Sequence, residues 1–285
     1  MNIPFLNREY PAAVWLPSMG RVSARVSYDS ETDAIDDPGI VQDYVLGTVF
    51  DGERVFFIRR QDLLQFWTSH VDCRVFMHTA SFDLEVAAKA SGYDVHPMIE
   101  AGRIVDISIL YRLAGCATTG DIPQRYSLEL MTLELLGVQL NKDESIRKGF
   151  GRFLRDGRVD YRQIPADHLI YASQDAVATY QLGIIMENKC RDIPAQHTPH
   201  LLLGTNGTNG TTASWGPLGH DIQLRGDIAL RQIEHYGLAV DGEAVCRLDE
   251  SLGADITKCH AVLARYGYMP GQAGNQAEFD QIIGE

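Results

Sequence analysis

The chain has 285 residues, of which 45% are hydrophobic and 22% are charged, and this composition is typical of an ordinary soluble globular protein. No run approaches the roughly 18 apolar residues of a membrane span, and the N-terminus lacks a secretory signal, so we expect a cytoplasmic protein without a membrane partner. A formal net charge of −13 excludes a protein that binds nucleic acid merely by being basic.

The first part of the chain alternates predicted strands with short helices. Apolar and polar residues alternate over residues 21–29, which predicts a strand with one buried face. Two β-rich runs on either side of Asp51-Gly52 predict a hairpin. The predicted elements from here to residue 90 are strands at Tyr44–Phe50 and Val55–Ile58, a helix at 62–69, a strand at Arg74–Met77 and a helix at 82–90.

The second part of the chain is predicted to be mostly helical. Apolar spacing predicts helices at residues 104–113, 128–136 and 167–186. Strands followed mainly by helices favour an α/β domain in which helices cover a mixed sheet.

A run of Gly, Thr and Asn at residues 204–212 predicts a domain boundary, because it offers nothing to bury. We therefore expect a domain over residues 1–200, a flexible linker over 201–215 and a small helical unit over 216–285. The five scattered cysteines are expected to be buried free thiols, since none forms a Cys-x-x-Cys pair.

The first candidate site residues stand at the end of the first of these predicted strands. Asp29 and Glu31 are two residues apart, so on a strand their carboxylates point the same way. Taken alone, acids at a strand end are usually turn or cap residues. They indicate a catalytic site only in combination with other motifs.

Two further motifs carry acids. His78-Thr-Ala-Ser-Phe-Asp83 runs from a strand end into a helix start, where a carboxylate is favoured by the helix dipole in any case. Tyr171 and Asp175 are four residues apart on a predicted helix, so they share a face one turn apart. Each motif alone is common and usually structural.

In this order and spacing, the three motifs together resemble the DEDD superfamily of 3′→5′ exonucleases. Tyr171 matches the tyrosine subclass (DEDDy), whereas the histidine subclass requires histidine at the position of Ile170. The resemblance covers residues 20–190, includes the fragment Gly102-Arg-Ile-Val-Asp106, and is closest to family A polymerase proofreading domains and RNase D. It implies an RNase H-like exonuclease fold, a mixed sheet flanked by helices, here followed by a small helical C-terminal unit.

The resemblance also implies a metal site. Two Mg²⁺ or Mn²⁺ ions would be held by the four carboxylates, since hard cations prefer oxygen ligands, and would stabilise the attacking and leaving oxygens together. Tyr171 would orient the attacking water rather than act as a base. The catalytic residues it implies are Asp29, Glu31, Asp83, Tyr171 and Asp175, of which the four acids are the metal ligands.

Substrate contacts are expected beside the acids and on a basic segment. The family's second motif commonly has asparagine where this chain has Thr79, and that position often touches the substrate strand near its 3′ end. Residues 142–162 carry a local excess of positive charge, which fits a phosphate-binding surface or equally a solvated face. The expected substrate-binding residues are Thr32, His78, Thr79, Lys142, Arg147 and Lys148.

The sequence therefore predicts a metal-dependent exonuclease that hydrolyses DNA from single-stranded or frayed 3′ ends. Residues 219–241 are similar to the entry into the polymerase region of family A enzymes, which favours DNA, although the chain has no room for a palm or fingers. An RNase D-like exoribonuclease and an inactive binding or scaffold module stay open as alternatives. We expect the C-terminal unit to be a helical remnant, or else to bind a second copy or another protein.

Overall fold

A seven-stranded mixed sheet organises the computed structural model, which describes residues 1–33, 40–141, 143–197, 215–237 and 241–265. In chain order, its strands are β1 (Asn2–Phe5), β2 (Arg8–Val14), β3 (Arg25–Thr32), β4 (Tyr44–Phe50), β5 (Val55–Ile58), β6 (Arg74–Met77) and β7 (Ile104–Asp106). Across the sheet the order is β1-β2-β5-β4-β3-β6-β7. Strands β2 and β5 are parallel, β6 is parallel to both β3 and β7, and the remaining neighbours are antiparallel. Strand β3 therefore lies inside the sheet.

Helices follow and interleave with these strands. They are α1 (Leu63–Ser69), α2 (Ala80–Ser91), α3 (His96–Glu100), α4 (Ile107–Thr119), α5 (Leu128–Leu136), α6 (Glu144–Arg147), α7 (Ala166–His197), α8 (Trp215–Tyr236) and α9 (Gly242–Ala264). A two-stranded ladder joins β8 (Leu154–Arg155) to β9 (Arg158–Val159). Single 3₁₀ turns occupy Pro17–Met19, Arg60–Asp62, Phe150–Phe153 and Tyr161–Gln163.

Hydrophobic cores lie on both faces of the sheet. Successive side chains of a strand point to opposite faces, so Phe56 and Val75 join the core beneath α1 and α2, whereas Phe57 and Phe76 join the core beneath α4, α5 and α7. This arrangement confirms the predicted mixed sheet covered by helices.

Three local predictions differ from the structure. Strand β3 spans Arg25–Thr32 and not 21–29, and Val26, Ser27 and Tyr28 are all buried, because helices cover both faces of this strand. Residues 104–106 form β7 rather than the start of a helix, since pairing with β6 is a tertiary contact that a short apolar run does not reveal. The strands β1 and β2 were not predicted.

Contacts divide the chain into two compact units, Met1–Tyr236 and Gly237–Glu285. Helix α8 belongs to the first unit, with Leu224 only 1% exposed, so that unit extends well past residue 200. Residues 201–214 of the expected linker lie outside the described residues, and the division into three functional parts stays a prediction.

None of the described helices is long and apolar enough to cross a membrane. The five cysteines are free, but only Cys73 and Cys190 are buried, so the expectation that all five are buried was wrong.

Candidate functional site

The site residues gather where β3 runs beyond the end of β6. The two strands pair only through Arg25, Val26 and Ser27 of β3, so from Tyr28 onward one edge of β3 has no strand beside it. Asp29 is half-buried there and Glu31 is 8% exposed. Because the sheet partner stops, side chains from the following helices occupy the free edge.

Asp83 lies in the first turn of α2, and its carboxylate contacts this free edge of β3. Its Oδ1 accepts a hydrogen bond of 2.8 Å from the backbone N–H of Ser30 and a second one from the Ser30 hydroxyl. Burial, with a smaller contribution from the negative charge of Asp106, raises the pKa of Asp83 to about 7, against the opposing effects of the Ser30 hydrogen bonds and of Arg231. Asp83 is therefore a buried carboxyl held against the residue that separates Asp29 from Glu31.

Helix α7 approaches β3 from the other face of the sheet. The hydroxyl of Ser27 donates a 2.7 Å hydrogen bond to the carbonyl of Ala176, the residue after Asp175. Asp175 is 7% exposed and lies on the same helix as Tyr171, four residues earlier. The Ser27 contact thus brings the third motif beside the first.

The surroundings of Tyr171 raise the pKa of its phenol above the ordinary value. Burial raises this pKa, and the negative charges of Asp175, Glu31 and Asp29 raise it further, in that order. The positive charge of Arg147 lowers it by a smaller amount. The Tyr171 hydroxyl is therefore held in its protonated form at neutral pH.

The first turns of α7 are fixed by a polar cluster around His168, which is 3% exposed. Its Nδ1 lies 2.9 Å from Oδ1 of Asp167, and its Nε2 lies 2.9 Å from Nη2 of Arg152. Because Arg152 can only donate, Nε2 accepts and Nδ1 carries the proton. The cluster holds the helix one turn before Tyr171.

The acids surround one strand end without forming a closed metal site. Among the residues that the structure describes, no three His, Cys, Asp or Glu side chains are arranged to hold a metal ion. Carboxylates that converge without cations repel one another, which favours such spreading. The donors are all oxygen atoms, and in chemical type they fit Mg²⁺ or Mn²⁺. Their assignment as metal ligands and catalytic groups stays a prediction.

The predicted substrate residues near the acids line the start of α2 and the end of β3. Thr32 is half-buried, and its hydroxyl donates to the carbonyl of Asp33 at 2.9 Å. Nε2 of His78 donates to the carbonyl of Tyr126 at 2.9 Å. Thr79 has a left-handed backbone, with φ 60° and ψ 55°, and its hydroxyl is 3.3 Å from Nδ1 of His78.

The predicted basic contacts are only partly in view, because Lys142 lies outside the described residues. Arg147 and Lys148 are exposed on and beside α6, and both pair with Glu144, at 3.6 Å and 2.7 Å. Such exposed pairs contribute little to stability. Arg147 is nonetheless close enough to influence the pKa of Tyr171.

Asp106 is a buried acid whose contacts were missed in the sequence. Its Oδ1 caps α4 by accepting from the N–H groups of Ser108 and Ile109, and its Oδ2 accepts from the N–H of Ala80 at 2.7 Å. The sequence signal was present, since an aspartate before an apolar run is a helix N-cap pattern. Its long-range contact with Ala80 had no such signal.

A family model described as 3′–5′ exonuclease matches residues 16–191, which is more than half of the chain and includes all three motifs. No curated protein sequence matches the chain.

Among solved structures, the chain is similar to Brucella melitensis NrnC with bound Mg²⁺, with a TM-score of 0.50 and 15% identity over 82% of this chain and 98% of that one. It is less similar to the Aedes aegypti Nibbler EXO domain, with a TM-score of 0.45 and 16% identity over 62% and 84% of the two chains. For Escherichia coli RNase D, an exoribonuclease involved in structured RNA processing, the TM-score is 0.43 and the identity 19%, over 82% and 68%.

At such identities, the likeness to NrnC speaks for the fold alone, and it agrees with the RNase H-like arrangement of a mixed sheet flanked by helices. The match to the family model reaches further, because it covers the strand, the helix start and the long helix that carry the acids. The chain belongs to the 3′–5′ exonuclease family, a family of phosphodiester hydrolases.

Proposed function

We propose that this protein removes nucleotides from the 3′ end of DNA, with Mg²⁺ or Mn²⁺ held by Asp29, Glu31, Asp83 and Asp175. The family assignment supports the reaction class. One observation supports the shared site: Asp83 is hydrogen-bonded to Ser30, the residue between Asp29 and Glu31.

The carboxylates explain why the proposed reaction would require a divalent metal ion. They are largely buried around one strand end, and a cluster of negative charges in such surroundings is relieved by hard cations. When bound, two such cations would neutralise charge on the phosphate and acidify the attacking water.

Tyr171 would orient the attacking water molecule. Because burial and three acids raise its pKa, the hydroxyl keeps its proton and acts as a hydrogen-bonding group rather than as a base. Tyr171 is 5% exposed, so packing restricts the position of its hydroxyl. The phenol can therefore hold a water molecule in line with the scissile bond.

The DNA strand would be bound by groups on both sides of the acids. Exposed Arg147 and Lys148 offer positive charge to the phosphates, and His78 and Thr79 lie at the start of the helix that carries Asp83. The likeness of residues 219–241 to the entry of a family A polymerase region supports DNA as the substrate.

The test is a cleavage assay on 5′-labelled DNA and RNA oligonucleotides of one sequence, each as a single strand and as a duplex, in Mg²⁺, Mn²⁺ or EDTA. The proposal predicts a descending ladder on DNA that requires the cation, with single strands and frayed ends cut first. Faster cleavage of RNA would establish the RNase D-like alternative. No cleavage of either polymer, together with no melting shift in Mn²⁺, would establish the inactive binding module.

A further inference from the structure

We infer that helix α8, which lies beyond the 3′–5′ exonuclease match, holds Asp83 in place through the positioning residue Arg231. This inference rests on the proposed function, in which Asp83 is a metal ligand. The match to the family ends at residue 191, and α8 begins at Trp215, yet α8 packs within the same compact unit as the sheet.

Arg231 contacts α2 on both sides of Asp83. Its Nε donates to Oε2 of Glu85 at 2.7 Å, two residues after Asp83, and its guanidinium carbon lies 4.9 Å from the ring centroid of Phe82, the residue before. The side chains of Arg231 and Glu85 are only 28% and 18% exposed. An ion pair with this degree of burial is screened less than a surface pair and holds its geometry better.

A second contact connects α8 to the start of α2. Nε2 of His220 accepts a 2.8 Å hydrogen bond from the backbone N–H of Asp106, and Asp106 in turn accepts from the N–H of Ala80, the first residue of α2. Leu224 of α8 is 1% exposed and belongs to the core beneath α1 and α2. Helix α8 therefore contacts the end of β7 through His220 and the second turn of α2 through Arg231.

These contacts set the direction in which Asp83 points. Thr79, at the N-cap position of α2, makes no side-chain cap hydrogen bond to the helix. The start of α2 therefore depends on its hydrogen bond to Asp106 and on the residues that contact its first turns. A ligand displaced by about 1 Å loses much of its chemical effect, since metal ligands work through their supporting hydrogen bonds. Arg231 therefore acts on Asp83 through the backbone of α2 and through its positive charge, without entering the site.

The experiment compares Arg231→Met with Arg225→Met in the full chain. Methionine keeps the apolar contact with Phe82 but removes the charge and the hydrogen bond. Arg225 is exposed on the same helix, so it is the matched control. Each variant is measured for kcat and KM on a DNA 3′ end, for the Mn²⁺ concentration that gives half activity, and for its melting temperature with and without Mn²⁺.

For Arg231→Met we expect kcat to fall about tenfold or more, with KM within about twofold of the wild type, and a rise of about tenfold in the half-saturating Mn²⁺ concentration. The Mn²⁺-induced melting shift should shrink, and Arg231→Lys should recover part of it. Glu85→Gln removes the same ion pair from the other side and should give the same pattern if Arg231→Met does not fold. Arg225→Met should match the wild type throughout.

A purely structural contact would lower the melting temperature and leave kcat and the Mn²⁺ dependence unchanged, and that result in Arg231→Met and Glu85→Gln overturns the inference alone. A wild-type chain that neither cleaves DNA or RNA nor responds to Mn²⁺ overturns the proposed function, and this inference with it.

Discussion

Asp83 accepts hydrogen bonds from both the backbone N–H and the hydroxyl of Ser30, so the acid of the second motif is bonded to the middle residue of the first. The bond forms because β6 ends before β3 does, which leaves the Ser30 N–H without a strand partner. Sheet topology thus brings Asp83 to the strand that carries Asp29 and Glu31, which lie 54 and 52 residues earlier in the chain.

The buried carboxyl of Asp83 should give the metal-free protein a distinct dependence of stability on pH. Its folded pKa of about 7 lies above the ordinary value of 3.8, so between these values the native state binds more protons than the unfolded state. The contribution of Asp83 to the free energy of unfolding is therefore full below about pH 4 and is lost as the pH rises to about 7.

Urea unfolding in EDTA at a series of pH values checks this expectation against Asp83→Asn, which cannot titrate. The free energy of unfolding of the wild type minus that of the variant should fall from pH 4 to pH 7 and then level off. Two parallel curves across this window would show that burial does not shift Asp83.

Removing the Tyr171 hydroxyl should slow the reaction without weakening metal binding. Tyr171→Phe keeps the buried ring and all four acids, so we expect kcat to fall by about tenfold to a hundredfold, and the melting shift in Mn²⁺ to persist. Steady-state kinetics and thermal melts measure the two effects. Loss of the Mn²⁺ shift in this variant would mean that the phenol supports the acids and not the water.

The left-handed backbone of Thr79 predicts a stabilising substitution. A β-branched residue at φ 60° is strained, whereas asparagine tolerates this region. Thr79→Asn should therefore raise the free energy of unfolding by about 1 kcal/mol, measured by urea denaturation. Thr79→Gly should also relieve the strain. If both variants are less stable than the wild type, the hydroxyl contact with His78 outweighs the backbone strain.

Two glycines on helices should respond to alanine in opposite directions. A Cβ on Gly183 of α7 would collide with the ring of Phe76 in β6, so Gly183→Ala should cost about 1–3 kcal/mol by overpacking. A Cβ on Gly226 of α8 meets nothing within 4 Å, so Gly226→Ala should stabilise by about 1 kcal/mol through helix propensity. Thermal melts of the two variants compare these changes, and equal shifts would contradict the close approach of α7 to the sheet.

Local patterns carried much of the fold. The strands Tyr44–Phe50, Val55–Ile58 and Arg74–Met77 have the bounds that the sequence predicts, because β-rich runs between turn residues are a strong short-range signal. The misassigned residues 104–106 show the limit of such signals, since two apolar residues followed by an aspartate do not reveal a strand that pairs with β6.

The acids themselves could be predicted because their chemistry is visible in residue type, spacing and order. The groups that hold them could not. Ser30 bonds to Asp83, and Arg231 to Glu85, over 53 and 146 residues respectively, and nothing local in the sequence marks such pairs. The backbone strain at Thr79 was equally hidden, although the asparagine usual in the family at that position fits a left-handed residue.

We propose that acids from three distant segments act together on one 3′ end. Release of the terminal nucleotide from a 3′-labelled DNA strand in Mn²⁺ tests it most directly, with Asp175→Ala compared against Asp192→Ala, an exposed acid on the same helix. We expect the first variant to fold but to release no nucleotide, and the second to keep the activity of the wild type. Full release by purified Asp175→Ala would contradict this proposal.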